Sequence, residues 1–243
     1  MRILILGGTE EARQLADALV GMGHEVTTSF AGTTADPILP KGEVRSGGFG
    51  GTRGLSNFLV SNGIQRLVDA THPYAVMMST HAVEAANQTG VKLVRLHRPP
   101  WKEPQYAFWH HVQSPDEAAA GLPRGARVLL TVGHAKLEIY LARTDCSFVV
   151  RSIEPPEKAL PVNARSLLAR PPFFVGGETE LMQYEGITHL ITKNSGGVQT
   201  EAKLKAAEQL RLAVVMIARP RLPEAHEAPT VGRAIAALKL DRY

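Results

Sequence analysis

Apolar residues in this chain come in short runs closed by glycine. The runs alternate with stretches where apolar residues recur every three or four positions. "RILILGG" (2–8) predicts a buried strand. "TEEARQLADALVGMG" places Ala12, Leu15, Ala16, Leu19 and Val20 on one helical face, with Thr9 to cap its start and Gly23 to end it. "EVTTSFAG" and "GEVRSGG" predict a second and a third strand, "LSNFLVSNG" a short helix and "IQRLVDAT" a fourth strand. "PYAVMMSTHAVEAANQTG" has proline in its first turn and glycine at its end, which predicts a longer helix, and "VKLVRL" predicts a fifth strand.

The proline-rich "HRPPWKEP" (97–104) marks a boundary, after which the alternation resumes. "QYAFWHHVQ" predicts a crossing strand, and "SPDEAAAGL" a helix capped by Ser114 with Pro115 at its first position. "RVLLTVG", "SFVVRSI", "THLITKN" and "AVVMIARP" read as strands, the last of them the final strand. "HAKLEIYLAR", "ETELMQYEG", "TEAKLKAAEQLR" and "TVGRAIAALKL" read as helices. "NARSLLA" reads as a short helix and "PFFVGG" as an irregular segment or short strand. Alternating strands and helices imply an α/β protein whose parallel sheets are covered on both faces. The expected organisation is an N-terminal unit over 1–104 and a C-terminal α/β unit over 105–243. "KLVRLHRPP" and "VVMIARP" both end in Arg-Pro, a hint that the two halves are alike.

Composition narrows the function classes. With 243 residues, 44% apolar and 21% charged, the chain suits one large or two small soluble domains. Lys and Arg exceed Asp and Glu by 27 − 23 = 4, too small an excess to argue for nucleic acid, so no nucleic-acid partner is expected. The single cysteine, Cys146, excludes an internal disulfide and any cysteine-based metal site, and its strand-like setting predicts a buried thiol. His110 and His111 are adjacent, which is no ligand spacing, and no metal is expected. The sequence shows neither an apolar run near the roughly 18 residues of a membrane helix nor a secretion signal. A cytoplasmic protein with no membrane partner is expected. Nothing in the sequence sets the oligomeric state.

The candidate chemistry lies where strands hand over to helices, because ligands of open α/β sheets bind outside the carboxyl ends of strands. "GGTEE" gives Gly7, Gly8, Thr9 and Glu10 the place of a dinucleotide fingerprint without its third glycine. Glu10 and Glu11 already satisfy the helix dipole and would repel a phosphate, so backbone N–H groups are left to meet it. In "SGGFGGTRG" (46–54), Gly47, Gly48, Gly50 and Gly51 let N–H groups converge on an anion or a flat ring, and Phe49 is expected to be exposed for stacking. "DATHPYA" brings Thr71, His72, Pro73, Tyr74 and Ala75 to the same rim. In the second half, "KNSGG" sets Lys193, Asn194, Ser195, Gly196 and Gly197 before a helix, an anion receptor by composition. "TVGHAK" repeats the strand-to-loop logic with Gly133 and His134. Arg151 ends another strand, and Arg95, Arg98 and Trp101 lie at the boundary.

The wording goes further than the pattern. "ILILGGTEEARQLA", "VRSGGFGGTRGLSNFL", "DATHPYA", "RLHRPPW" and "ITKNSGGVQTEAKLKAA" followed by "ARP" resemble the precorrin-6A reductase family of cobalamin biosynthesis, in order and along nearly the whole chain. The resemblance implies two Rossmann-like halves with the cofactor in a cleft between them. It implies NADPH-dependent reduction of one carbon–carbon double bond of precorrin-6A to give precorrin-6B; some relatives act on the cobalt-containing intermediate. It assigns the nicotinamide cofactor to Gly7, Gly8, Thr9, Glu10, Ser29, Gly32, Gly47, Gly48, Phe49, Gly50, Gly51, Thr71, Pro73 and Ala75. Tyr74 and His72 become the candidate catalytic acids. The tetrapyrrole substrate, with its many carboxylates, falls to Arg98, Trp101, Gly133, His134, Arg151 and the Lys193–Gly197 loop. One departure stands out. The resemblance leads one to expect arginine after the second strand for the 2′-phosphate of NADPH, and this chain has Ala31, Gly32 and Thr33. Ser29, Thr33 and Thr34 offer hydrogen bonds but no charge, so a preference for NADPH over NADH of about tenfold or less is expected.

Two other readings compete with this one. A non-catalytic two-lobed binder of an acidic metabolite would show the same loops. The other is a different nicotinamide-dependent reductase or an epimerase; the epimerase would want Tyr-x-x-x-Lys, whereas Tyr74 is followed four positions on by Met78.

Overall fold

The computed structural model describes residues 1–32 and 37–239; Thr33 and Thr34 lie outside them. In the first half the strands are β1 (Arg2–Leu6), β2 (Glu25–Phe30), β3 (Glu43–Ser46), β4 (Arg66–Asp69) and β5 (Lys92–Leu96), and the helices are α1 (Glu10–Gly21), α2 (Gly51–Ser61) and α3 (Val76–Thr89). The second half holds β6 (Phe108–Val112), α4 (Pro115–Ala120), β7 (Arg127–Thr131), α5 (Leu137–Leu141), β8 (Ser147–Ser152), β9 (Ala164–Leu168), α6 (Val175–Tyr184), β10 (His189–Lys193), α7 (Ala202–Gln209) and β11 (Ala213–Ile217). The chain closes with β12 (His226–Ala228) and α8 (Val231–Lys239).

The described strands form two six-stranded parallel sheets, ordered β12-β5-β4-β1-β2-β3 and β6-β11-β10-β7-β8-β9. The first has the Rossmann order, third-second-first-fourth-fifth-sixth, and the second has the same layout except that its earliest strand, β6, takes the edge place that the last strand, β12, takes in the first. The switch point, where the order reverses, lies between β1 and β4 in the first sheet and between β7 and β10 in the second. The two Arg-Pro dipeptides occupy matching places, just after β5 and β11, each the second strand from an edge of its sheet.

Alternation along β1 explains the layering of the first unit. Ile3 and Ile5 face Leu15, Ala16 and Leu19 of α1 and Ala234 and Leu238 of α8. Leu4 and Leu6 face the opposite way, onto Leu55 and Leu59 of α2 and Ala82, Ala85 and Ala86 of α3. In the second unit Leu129, Val149, Leu190, Val214 and Met216 pack against Met182 of α6 and Leu204, Ala206 and Ala207 of α7.

The chain divides differently from the sequence boundary at 104. One unit is Met1–Pro99 with Pro220–Tyr243, the other Pro100–Arg219. Residues after 219 leave the expected 105–243 unit because β12 pairs parallel with β5, Glu227 opposite Arg95, and because Ala234 and Leu238 of α8 fill the α1 face. The strand predicted to be last is therefore followed by another. "NARSLLA" is the edge strand β9, paired with β8 from Phe148↔Ala164 to Ser152↔Leu168. A segment this short has little helix stability of its own, and a sheet edge supplies the missing backbone partners. "VGG" opens α6 in place of the irregular segment or strand expected there. α3 begins at Val76, three residues after Pro73, because Ala75 N–H first closes a turn onto the His72 carbonyl at 2.8 Å.

Candidate functional site

At the switch point of the first sheet, Gly7 N–H bonds the Ser29 carbonyl at 2.8 Å and Ala70 N–H bonds the Leu6 carbonyl at 3.0 Å, so the ends of β1, β2 and β4 are fixed together. A side chain on Gly7 would meet Thr28 Cγ2 at 2.9 Å, whereas Gly8 has φ +112° and open space around it. The second glycine is thus the one beside which a ligand can approach. Thr9 Oγ1 accepts from Ala12 N–H at 3.1 Å and donates to the Ala70 carbonyl at 2.9 Å, capping α1 and tying it to β4.

The acids of α1 are not the repulsive pair that the sequence suggested. Glu10 pairs with Arg13 and also accepts from Gln14. Glu11 pairs with Arg98, which the sequence had assigned to substrate. Thr9, Glu11, Thr71, Pro73, Leu96 and Arg98 line one small pocket of the first unit. With both carboxylates matched by guanidinium groups, the N–H groups and dipole of α1 remain favourable to an anion.

The glycine run has a positional explanation. Gly47, Gly50 and Gly51 have φ of +101°, +77° and +87°, and Gly50 precedes α2 as its cap. Helical Gly54 has no room for a side chain, since its Cβ would fall 1.6 Å from the Phe49 carbonyl oxygen. Phe49 is half-buried, not the exposed ring expected: it packs edge-on to Phe58 at 5.3 Å and lies under the Arg45 guanidinium at 3.9 Å. Arg45 was missed by sequence reasoning. It donates to Ser29 Oγ at 2.6 Å, to the Gly47 carbonyl at 3.0 Å and to the Gly48 carbonyl at 3.2 Å. The signal for it was the parallel pairing of β3 with β2, which sets Arg45 opposite Ser29.

On the β4 side, buried Asp69 accepts from Thr71 Oγ1 at 2.7 Å and from Arg95 Nε at 3.1 Å, and so holds the loop that carries His72 and Tyr74. Tyr74 N–H donates to His72 Nδ1 at 3.3 Å, and the two rings sit 5.6 Å apart. In the neutral ring that bond leaves the His72 proton on Nε2.

At the second switch point Lys193 ends β10, and burial pushes its ammonium below the ordinary lysine range. The following loop is held by groups that the sequence had offered to the substrate. Asn194 Oδ1 accepts from Trp101 N–H at 2.8 Å and its amide donates to the Trp101 carbonyl at 3.2 Å. Trp101 is buried in the core, and its indole N–H donates to the Gly197 carbonyl at 3.1 Å. Arg219, also missed, donates to the Asn194 and Ser195 carbonyls at 2.7 and 3.0 Å. Gly196 and Gly197 have positive φ, which these bonds fix. Across the switch point lies Gly133, with φ +77°, and His134, whose buried Nε2 has no hydrogen-bond partner among the described residues. Arg151 is not an open cation: it is buried, ion-paired with buried Glu178 and stacked on Phe173 at 4.0 Å. Cys146 is buried, its thiol directed at the Pro123 carbonyl. Among the described residues there is no cluster of three or more His, Cys, Asp or Glu placed to hold a metal, and no helix is long and apolar enough to cross a membrane.

Comparison with known proteins converges on one group. The family model described as "Precorrin-6x reductase CbiJ/CobK" matches residues 2–239. The precorrin-6A reductase of Rhodococcus erythropolis is 46% identical over 238 residues, covering 97% of this chain and 96% of the relative. That of Rhodobacter capsulatus is 44% identical over 224 residues, covering 91% and 89%. The solved structure titled "CobK precorrin-6A reductase" superposes with a TM-score of 0.94 at 42% identity, covering 98% of this chain and 95% of that one. A match of this length in both sequence and backbone, over both sheets and both switch-point loops, shows that the chain belongs to the precorrin-6x reductase family.

Proposed function

We propose that the chain reduces precorrin-6A to precorrin-6B with NADPH as hydride donor, a step of cobalamin biosynthesis. The observation that carries this reading is the duplicated switch point. One is built from open glycine turns at a helix start, the other from a half-buried lysine and a braced glycine loop. The first suits a dinucleotide, and Gly8, Thr9, Ser29, the Gly47–Gly51 loop and Thr71 would hold it. The bound nicotinamide supplies the hydride. The protein's own work is to bind, orient and protonate. His72, with its proton on Nε2, and Tyr74 would deliver the proton that must accompany the hydride. The second switch point takes carboxylates of the macrocycle on Lys193, Ser195 and the backbone of Gly196 and Gly197, while Trp101, Asn194 and Arg219 keep that loop in shape.

The reading is tested by following loss of the reduced-nicotinamide absorbance when precorrin-6A is supplied. Corrinoid binding without any turnover would reduce the chain to a binder of acidic metabolites. Lys193→Ala is expected to weaken corrinoid binding about 10- to 150-fold, the value of one charged hydrogen bond of roughly 1.5–3 kcal/mol. The Kd for NADPH should stay within about twofold. Glu201, the nearest acid in sequence after the loop, is ion-paired with Lys205 at 2.7 Å. Binding of a carboxylate favours the charged lysine, so corrinoid affinity should fall as pH rises through the lowered Lys193 value. Lys193→Arg should flatten that dependence. Titrations of both ligands across the alkaline range check each statement.

A further inference from the structure

Several arginines at strand ends or on α1 are paired with carboxylates. Arg13 has Glu10, Arg95 has Asp69, Arg98 has Glu11 and Arg151 has Glu178. Arg45 is different. It is half-buried, and among the described residues every group it touches is neutral: a hydroxyl, two carbonyls and two aromatic rings. Three of its five N–H donors are used, which leaves two for a ligand. Its plane is fixed by Phe49 at 3.9 Å and by bonds to the glycine loop, so little rotamer freedom remains to be lost on binding. It stands beside Ser29 at the carboxyl end of β2, about 20 residues beyond the Gly7-Gly8 turn. That is where the ribose 2′ position of a dinucleotide is read in sheets of this order.

We propose that Arg45 reads the 2′-phosphate of NADPH, doing from the third strand what no arginine does in the segment after the second. The proposal rests on the nicotinamide reading given above. A phosphomonoester is a planar-fork partner for guanidinium and carries nearly two negative charges at neutral pH. A pre-oriented cation with no carboxylate partner among the described residues therefore favours NADPH well beyond the modest margin that Thr33 suggested, while NADH, which has no 2′-phosphate, gains nothing from it.

The test measures Kd for NADPH and NADH by titration of the intact protein, wild type, Arg45→Gln and Arg45→Lys, each with its melting temperature. The wild type is expected to prefer NADPH by more than about 50-fold. Arg45→Gln should weaken NADPH about 10- to 150-fold and change NADH by less than about threefold. Arg45→Lys should retain an intermediate preference, because charge remains without the fork. A wild-type ratio near one overturns the proposal without any variant. So does an equal loss of both cofactors in Arg45→Gln, which would make Arg45 a brace of the glycine loop. Failure of the wild type to bind either cofactor would instead strike the nicotinamide reading itself.

Discussion

Replacing Asp69 by alanine is expected to cost the first unit about 3–5 kcal/mol of stability, the usual result of stranding one member of a buried ion pair. The Arg95 and Asp69 side chains are 3% and 1% exposed. With Asp69 gone, the guanidinium keeps the Pro223 carbonyl at 2.8 Å and the half-exposed Glu227 carboxylate at 3.3 Å. Its Nη2 has no partner among the described residues, so one buried donor is already unmet before the pair is broken. Thr71 loses its acceptor in the same step, and with it the geometry of the loop that presents His72 and Tyr74. A domain is stabilised by only about 5–15 kcal/mol in total, so this loss brings the unit close to unfolding at ambient temperature. The measurement is hydrogen exchange of β1, β4 and β5 amides through a urea series, which isolates this unit from the other. The paired change Asp69→Leu with Arg95→Met should cost less than Asp69→Ala alone, since no charge is stranded. A cost below about 1 kcal/mol for Asp69→Ala would mean that water or a neighbour takes over the charge.

Elements with a strong period were legible in the sequence. β1 and α1 follow from "RILILGG" and from Ala12, Leu15, Ala16 and Leu19, which the structure buries on one face. β9 was not legible: five residues with an exposed centre carry no period long enough to tell strand from helix, and only the neighbouring β8 decides. The return of residues 220–239 to the first unit was also hidden. Nothing local in "HEA" marks a strand, and its pairing with β5 is a contact between segments more than a hundred residues apart in sequence.

The site shows the same division. Glycines with special backbone needs could be read as such, because few other residues tolerate positive φ. Partners could not be read. The chain gives no local sign that Glu11 meets Arg98, that Asn194 holds Trp101, or that Arg45 stacks on Phe49. Each of these changed the chemistry inferred: Glu11 gained a guanidinium partner, Trp101 and Asn194 became supports of the Gly197 loop, and Arg45 became the candidate for a charge that the sequence after β2 does not offer. Side-chain pairing across a sheet depends on register, and register is set by the whole sheet.

Gly54→Ala is expected to destabilise the protein by about 3 kcal/mol, although alanine is the better helix former by about 1 kcal/mol. Gly54 lies inside α2, where that substitution ordinarily stabilises. Here an added Cβ would sit 1.6 Å from the Phe49 carbonyl oxygen and 2.7 Å from its carbon. Both are backbone atoms, so relief requires the Gly47–Gly51 turn or the start of α2 to move. Movement of α2 would unseat Leu55 and Leu59, which are fully buried, and movement of the turn would pull the Gly47 and Gly48 carbonyls off Arg45. Stability and cofactor affinity should therefore fall together. Gly48→Ala is the matched control: its φ is not positive, and its Cβ would meet nothing nearer than the Gly50 nitrogen at 4.0 Å. That variant should stay within about 0.5 kcal/mol of wild type. Chemical denaturation of both variants, with NADPH titration of each, separates steric exclusion at one position from general intolerance of the loop. If Gly54→Ala proved as stable as wild type with unchanged NADPH affinity, the glycine run would owe its composition to something other than close backbone packing.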